Sequence, residues 1–302
     1  MPYLINTLLD KIEAINPQHA DKLRSNLEYL RNELQTKSET FLKDYEDYLI
    51  RNELTLDYGV SCYLKMINDM VAVRYEFYKT GDYSNSSFQE VERQIYANPE
   101  VMTYHMHGLV LAQYLWFDQY ERIHFFSENL LKFCNSKGSY LEIGGGHGLY
   151  LKEAMNMLPE VTRFDMVDIS ESSLALAKGI INNERPNFYH KNVFDFDEKI
   201  KYDFITIGEV LEHVEDPLSL MKKIASLMNP SSVCFMTTPI NAPMIDHIFL
   251  FNEAAEIRSL IDEAGFDILI EKMVLSEKVS EERAKKLKLP VMYATFIKQK
   301  EL

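Results

Sequence analysis

Along the first 130 or so positions apolar residues return every three or four places, and beyond residue 135 they gather into short apolar runs alternating with amphipathic segments. The first spacing predicts helices, and the second predicts strands and helices in alternation, the pattern of an α/β layer. Pro17 to about Ile50 is one long amphipathic stretch, Tyr58 to Tyr78 is more apolar and closed by Gly81, and Met102 to Phe133 follows with a break at Asp118. Ser86 or Ser87 would cap a further helix reaching Ala97, with Glu90 placed to complete a capping box for Ser87. Past the change of pattern, Ser139 to Ile143, Arg163 to Val167, Asp203 to Ile207 and Val233 to Thr237 read as successive strands. Leu149 to Met157 and Glu253 to Ala264 read as helices, the second closed by Gly265. Phe266 to Val274 and Val291 to Lys298 read as two last strands joined by the charged stretch Ser276 to Pro290. The chain thus divides into a helical part, residues 1–135, and an α/β part, residues 136–302. No repeat or low-complexity linker separates them, so the helical part reads as an integrated domain.

Composition narrows the class. With 302 residues and 46% hydrophobic content the chain can bury one large core or two modest ones. No apolar run approaches the roughly 20 residues that span a bilayer, and Met1 to Asp10 lacks a basic region leading into an apolar core, so the expected location is cytoplasmic with no membrane partner. Cys62, Cys134 and Cys234 sit in apolar surroundings without a C-x-x-C pair and read as core residues of a reducing compartment. A net charge of −14 argues against a general nucleic-acid surface, because phosphate binding is driven by lysine and arginine.

Chemistry enters at Leu141-Glu142-Ile143-Gly144-Gly145-Gly146-His147-Gly148, where a buried strand ends in an acid and glycines before a helix begins. Glycine there removes the Cβ that would block both the turn and a ligand lying against bare backbone. The spacing G-x-G-x-G differs from the dinucleotide fingerprint, whose third small residue falls one place later. It resembles motif I of the class I S-adenosylmethionine (SAM)-dependent methyltransferases. The rest of that resemblance follows in order. Arg163 to Val167 ends at Asp168, an acid suited to both hydroxyls of a ribose or, in its plainer reading, to capping a helix. Asn192, in Tyr189-His190-Lys191-Asn192-Val193-Phe194-Asp195, stands where the family usually places an acid facing the adenine amino group, with Asp195 as a rival. The resemblance covers residues from about 136 to 302 and implies a Rossmann-like sheet of parallel strands with an antiparallel C-terminal hairpin, preceded by an all-helical domain. It places SAM against Glu142, Gly144, Gly145, Gly146, Gly148, Asp168, Ile169, Asn192, Val193 and Gly208.

Two further segments bear on the acceptor. Tyr104, His105, His107 and Tyr114, beside Trp116, Phe117 and Tyr120, would either roof a substrate or fill the core of a helix docked on the sheet. After the fourth strand, a helix starting at Glu209 would bring Glu209, Glu212 and His213 to one face at i, i+3 and i+4. With His247, from the loop after the fifth strand, they would bind a divalent cation such as Mg²⁺ or Mn²⁺. This E-x-x-E-H set with a later D-H-x-F resembles the metal-dependent 2′-O-methyltransferases of small-RNA 3′ ends, while Gly208 to Pro217 with Phe249 to Phe266 resembles the O-methyltransferases of ubiquinone biosynthesis. A metal-free reading keeps His213 as the base, and a structural one leaves the acids at a helix N-terminus. The function expected is methyl transfer from SAM to a small-molecule acceptor, on O first and on C or N otherwise, with the helical domain as lid, specificity element or homodimer contact. The alternatives are an RNA 3′-terminal 2′-O-methyltransferase and a SAM-binding subunit without turnover.

Overall fold

The computed structural model describes residues 3–28, 32–134, 137–277 and 279–301. The N-terminal layer is helical: α1 (Tyr3–Glu13), α2 (Pro17–Leu27), α3 (Asn32–Arg51), α4 (Leu56–Thr80), the short α5 (Phe88–Val91) running into a π turn at Glu92–Tyr96, α6 (Pro99–Leu115) and α7 (Phe117–Phe133). The long stretch predicted from Pro17 to Ile50 is two helices. Asn16 caps the first of them by accepting from the His19 N–H at 3.1 Å. Gly81 ends α4 in the left-handed conformation with φ 82°, as its position predicts. The capping box at Ser87 does not form. Ser87 makes no side-chain cap, and the Phe88 N–H donates instead to Glu215 Oε1 at 2.8 Å, a residue 127 positions away that local spacing could not reveal. The break between α6 and α7 falls at Trp116, whose extended backbone closes one helix and opens the next.

The remaining elements alternate: β1 (Ser139–Ile143), α8 (Leu149–Met157), β2 (Arg163–Asp168), α9 (Glu171–Ile181), β3 (Pro186–His190), β4 (Tyr202–Gly208), α10 (Pro217–Leu227), β5 (Met228–Ile240), α11 (Ala254–Glu263), β6 (Phe266–Leu275), α12 (Glu281–Lys286) and β7 (Val291–Gln299). They form a seven-stranded sheet in the order β3-β2-β1-β4-β5-β7-β6. The first five strands are parallel, and β7 runs antiparallel between β5 and β6. Strand order reverses between β1 and β4, which leaves a crevice at the carboxyl ends of those two strands where an open α/β sheet takes its ligand.

One face of the sheet lies under the helical layer. Phe126 packs on Phe235 with ring centroids 4.9 Å apart, and Phe125 on Phe296 at 5.7 Å. A single buried cluster runs from Leu8 and Leu23 through Tyr63, Leu111 and Phe126 to Tyr140, Phe204 and Phe296. The opposite face carries a second cluster built from Leu141, Ile205, Leu220, Ile257 and Ile297 under α10 and α11. The expected division at residues 135 and 136 falls outside the described residues. No helix among the described residues is long and apolar enough to cross a membrane.

Candidate active site

A cavity of about 590 Å³ opens between the carboxyl ends of the strands and the helical layer. Its floor is the turn after β1. Gly144 and Gly146 hold φ 61° and 55°, conformations in which a side chain is strained, and a Cβ on Gly144 would stand 2.5 Å from Val210. The Gly144 N–H donates to Val167 O at 2.8 Å, tying the turn to β2. Asp168 closes the same corner: its carboxylate accepts from the Gly146 N–H at 3.1 Å and the Ser170 N–H at 2.8 Å. Burial raises its pKa against the pull of those two donors. Glu142 is 1% exposed, its Oε2 has no hydrogen-bond partner, and burial pushes its carboxyl well above the usual range.

Of the cofactor residues expected from sequence, Glu142, Gly144, Gly145, Gly146, Asp168, Ile169, Asn192, Val193 and Gly208 all line the cavity. Gly148 does not; it caps α8 at φ 73°, where a Cβ would meet Ile181 at 2.8 Å. Asn192 Oδ1 accepts from the Phe194 N–H at 3.0 Å, and Phe194, 44% exposed, stands on the cavity rim. Asp195 is exposed and off the wall.

The stretch after β4 departs from the helix expected. Glu209 takes φ 56°, and only a 3₁₀ turn follows, at Leu211–His213. The reason is visible in the hydrogen bonds. The Glu209 N–H donates to Thr237 O at 3.0 Å, so β5 holds this residue at the strand end, and its left-handed backbone does not run on into an α-helix. Glu209 Oε1 lies 3.0 Å from Nη1 of the buried Arg122 on α7 and is not among the residues grouped closely enough to hold a metal ion. The other three proposed ligands do converge: one ligand atom each from Glu212, His213 and His247 lies within 4.8 Å of the others. His213 Nε2 is 3.7 Å and His247 Nε2 3.9 Å from Glu212 Oε1, an atom with no hydrogen-bond partner. His247 reaches this point because the Ile248 and Phe249 N–H groups donate to the Glu212 carbonyl at 2.8 and 2.9 Å, clamping its loop onto the 3₁₀ turn. Thr238 Oγ1 donates to Glu212 Oε2 at 2.9 Å.

The titratable groups of this cluster shift in opposite directions. Burial, and then Glu209 nearby, raise the Glu212 carboxyl. Burial and the neighbouring His213 push His247 down to about 3, so its ring is neutral. His213 runs the other way: burial lowers it, but Asp246 and Glu212 outweigh burial and raise it. Two imidazole nitrogens within 3.7 and 3.9 Å of one carboxyl oxygen, all three groups able to bind through a lone pair once deprotonated, suit a divalent transition ion better than Mg²⁺, which prefers six oxygens.

The acceptor residues expected on α6 separate. His105 lines the cavity, 3% exposed, with Nε2 4.0 Å from Asp246 Oδ2 and Nδ1 unpartnered. His107 faces away into a nest of Tyr48 and Tyr58, its Nδ1 2.7 Å from the Tyr45 hydroxyl. Tyr104 donates to Asp69 at 2.6 Å under the Lys65 ammonium, and Tyr114 packs on Phe41; neither lines the cavity. An i, i+2 pair on a helix diverges by about 200°, which separates the two histidines. The helical layer also gives the cavity apolar lining, with Ile67 and Met70 of α4, Met102 and Leu109 of α6, and Trp116. Sequence reasoning missed Arg122, Tyr96 and Asp246. A signal for the first exists: Gln113, Gln119 and Arg122 are polar positions on otherwise apolar helix faces, and they bond to one another around the Arg122 guanidinium.

Similarity to known proteins agrees with this geometry. A family model described as "Methyltransferase domain" matches residues 112–271. The ubiquinone biosynthesis O-methyltransferase of Coxiella burnetii is 29% identical over 136 residues, 43% of this chain and 56% of that protein. Its counterpart in Vibrio campbellii is 36% identical over 66 residues, 22% of this chain and 28% of that protein. The chain thus spans about half or less of the length of these curated relatives. The structure of a mitomycin 7-O-methyltransferase superposes with a TM-score of 0.53 over 81% of this chain and 70% of that one, at 11% identity, a likeness of fold.

Proposed function

The chain belongs to the class I SAM-dependent methyltransferase family, and from that premise we propose that it moves the sulfonium methyl to an oxygen of a small-molecule acceptor. The observation that carries this reading is that His213 and His247, which meet the buried Glu212, line the same cavity as the glycine turn. The cavity answers the cofactor group by group. The buried Arg122, whose Nε lacks a hydrogen-bond partner, suits the methionine carboxylate, and the unpartnered Glu142 Oε2 and Glu209 suit its ammonium. Asp168 is placed for the ribose hydroxyls, and Asn192 with Val193 and Phe194 for the adenine.

Methyl transfer needs an aligned oxygen nucleophile and a place for its proton. The acceptor hydroxyl gives up its proton, its oxygen forms a bond to the methyl carbon, and the carbon–sulfur bond breaks with its electrons returning to sulfur. His105 is the base we favour: it lines the cavity, and burial lowers its pKa, which keeps the ring neutral near pH 7 and able to take a proton. Glu212, His213 and His247 would hold a divalent cation, which lowers the pKa of a hydroxyl and orients an acceptor with adjacent oxygens. The apolar wall of Ile67, Met70, Met102 and Trp116 favours an aromatic or alicyclic body over RNA, in keeping with the net charge of −14.

The test is calorimetric binding of S-adenosylhomocysteine (SAH), followed by transfer of labelled methyl from SAM to a panel of catechols, vicinal diols and hydroxy-carbonyl compounds. We expect SAH to bind, Asp168→Ala to weaken it about tenfold or more, and at least one panel member to be methylated on oxygen. Tight SAH binding with methylation confined to amines or carbon acids would overturn the oxygen assignment, and absence of SAH binding would overturn the function.

A further inference from the structure

We propose that Tyr96, from the π turn of the helical layer, is a positioning residue that holds the ring of His213, whose tautomer the Asp246 carbonyl sets, and so aims its Nε2 as a ligand. This rests on the cation reading of the Glu212–His213–His247 cluster. Tyr96 lies in the part of the chain before residue 112, where the family match begins. Its hydroxyl is 2.8 Å from His213 Nδ1, and the same nitrogen is 3.0 Å from the Asp246 carbonyl oxygen. A carbonyl can only accept, so Nδ1 carries the proton and points it between that oxygen and the Tyr96 oxygen. The Tyr96 O–H is then free to donate to Asp246 Oδ2, 3.4 Å away. With Nδ1 protonated, His213 Nε2 presents a lone pair toward Glu212 Oε1 at 3.7 Å. A metal-ligating histidine characteristically donates its other N–H to a carbonyl or carboxylate in this way. Here one hydroxyl links that N–H to a buried carboxylate and makes the site depend on the helical layer. The π turn is the local device, because a widened turn re-aims the side chain at its end.

The experiment titrates Mn²⁺ into the full chain with SAH bound, read by electron paramagnetic resonance, for the wild type, Tyr96→Phe and Phe88→Leu. The Phe88 ring packs 6.3 Å from that of Tyr96, so its truncation disturbs packing while keeping the hydroxyl. Tyr96→Phe should weaken Mn²⁺ about tenfold or more with SAH affinity unchanged, and Phe88→Leu should leave Mn²⁺ affinity in place. Equal Mn²⁺ affinity in Tyr96→Phe and wild type overturns the assignment, and so does an equal loss in both variants, which would mean packing alone. A wild type that binds SAH but not Mn²⁺ sinks the cation reading itself, and this inference with it.

Discussion

Asp118 shows how one half-buried acid tunes the site's surroundings. It lines the cavity at the start of α7, and burial lifts its carboxyl to about 6 although Arg122 pulls the other way. Its folded pKa is therefore above its unfolded value, so between pH about 4 and 6 the folded state holds a proton that the unfolded state has lost, and stability falls as pH rises through that window. Asp118→Asn removes the penalty. Chemical denaturation should show the variant more stable by about 1–2 kcal/mol at pH 7 and level with wild type near pH 3. An unchanged pH profile would mean that Asp118 is solvated. This shift was invisible in the sequence, where Asp118 reads only as a helix break. By contrast the places of Glu142 and Asp168 on the cavity wall were legible, since an acid at a strand end beside glycine can be read from neighbours in the chain.

Among the elements, the turn from β1 to α8 is the most constrained. Gly144 needs a left-handed backbone and has no room for a methyl group, with Val210 2.5 Å from where it would sit. Gly144→Ala should cost about 2 kcal/mol or more, from the strained φ and the displaced Val210. The urea midpoint measures it, and because Val210 adjoins Glu209, SAH affinity should fall in the same variant. The segment after β4 teaches the opposite lesson. Its i, i+3, i+4 acids and histidine suggest a helix, but Glu209, tied by its N–H to Thr237 on the neighbouring strand, takes a left-handed φ of 56° that an α-helix does not contain. Glu212, His213 and His247 still meet, because both segments leave adjacent parallel strands at the same edge, whereas Glu209 turns to Arg122.

Across the whole molecule, helices and sheet share one buried cluster from Leu8 through Phe126 to Phe296, and the cavity is walled from both sides. Loss of either layer exposes the apolar face of the other, so the two should unfold together. Far-ultraviolet dichroism, which is dominated by the helices, and tyrosine and tryptophan signals from both layers should give coincident thermal transitions. SAH at a hundredfold excess over its dissociation constant should move both alike, by about 2.7 kcal/mol. Two separate transitions would show that the layers are independent.

The chain order of apolar runs, the G-x-G-x-G turn and the acid at the end of each of the first two strands were readable without coordinates, because each depends on residues a few positions apart and on a period of two or 3.6. They were enough for the α/β sheet and the glycine corner of the cavity, while the sheet's antiparallel end followed from the resemblance to the methyltransferases. The choice between cavity wall and core for His105 and His107, the partner of Glu209, and the meeting of Tyr96 with His213 and Asp246 required the folded chain. Those contacts join residues up to 150 positions apart, and they are selected by packing and by the need to satisfy buried polar groups, which leave no periodic trace in the sequence.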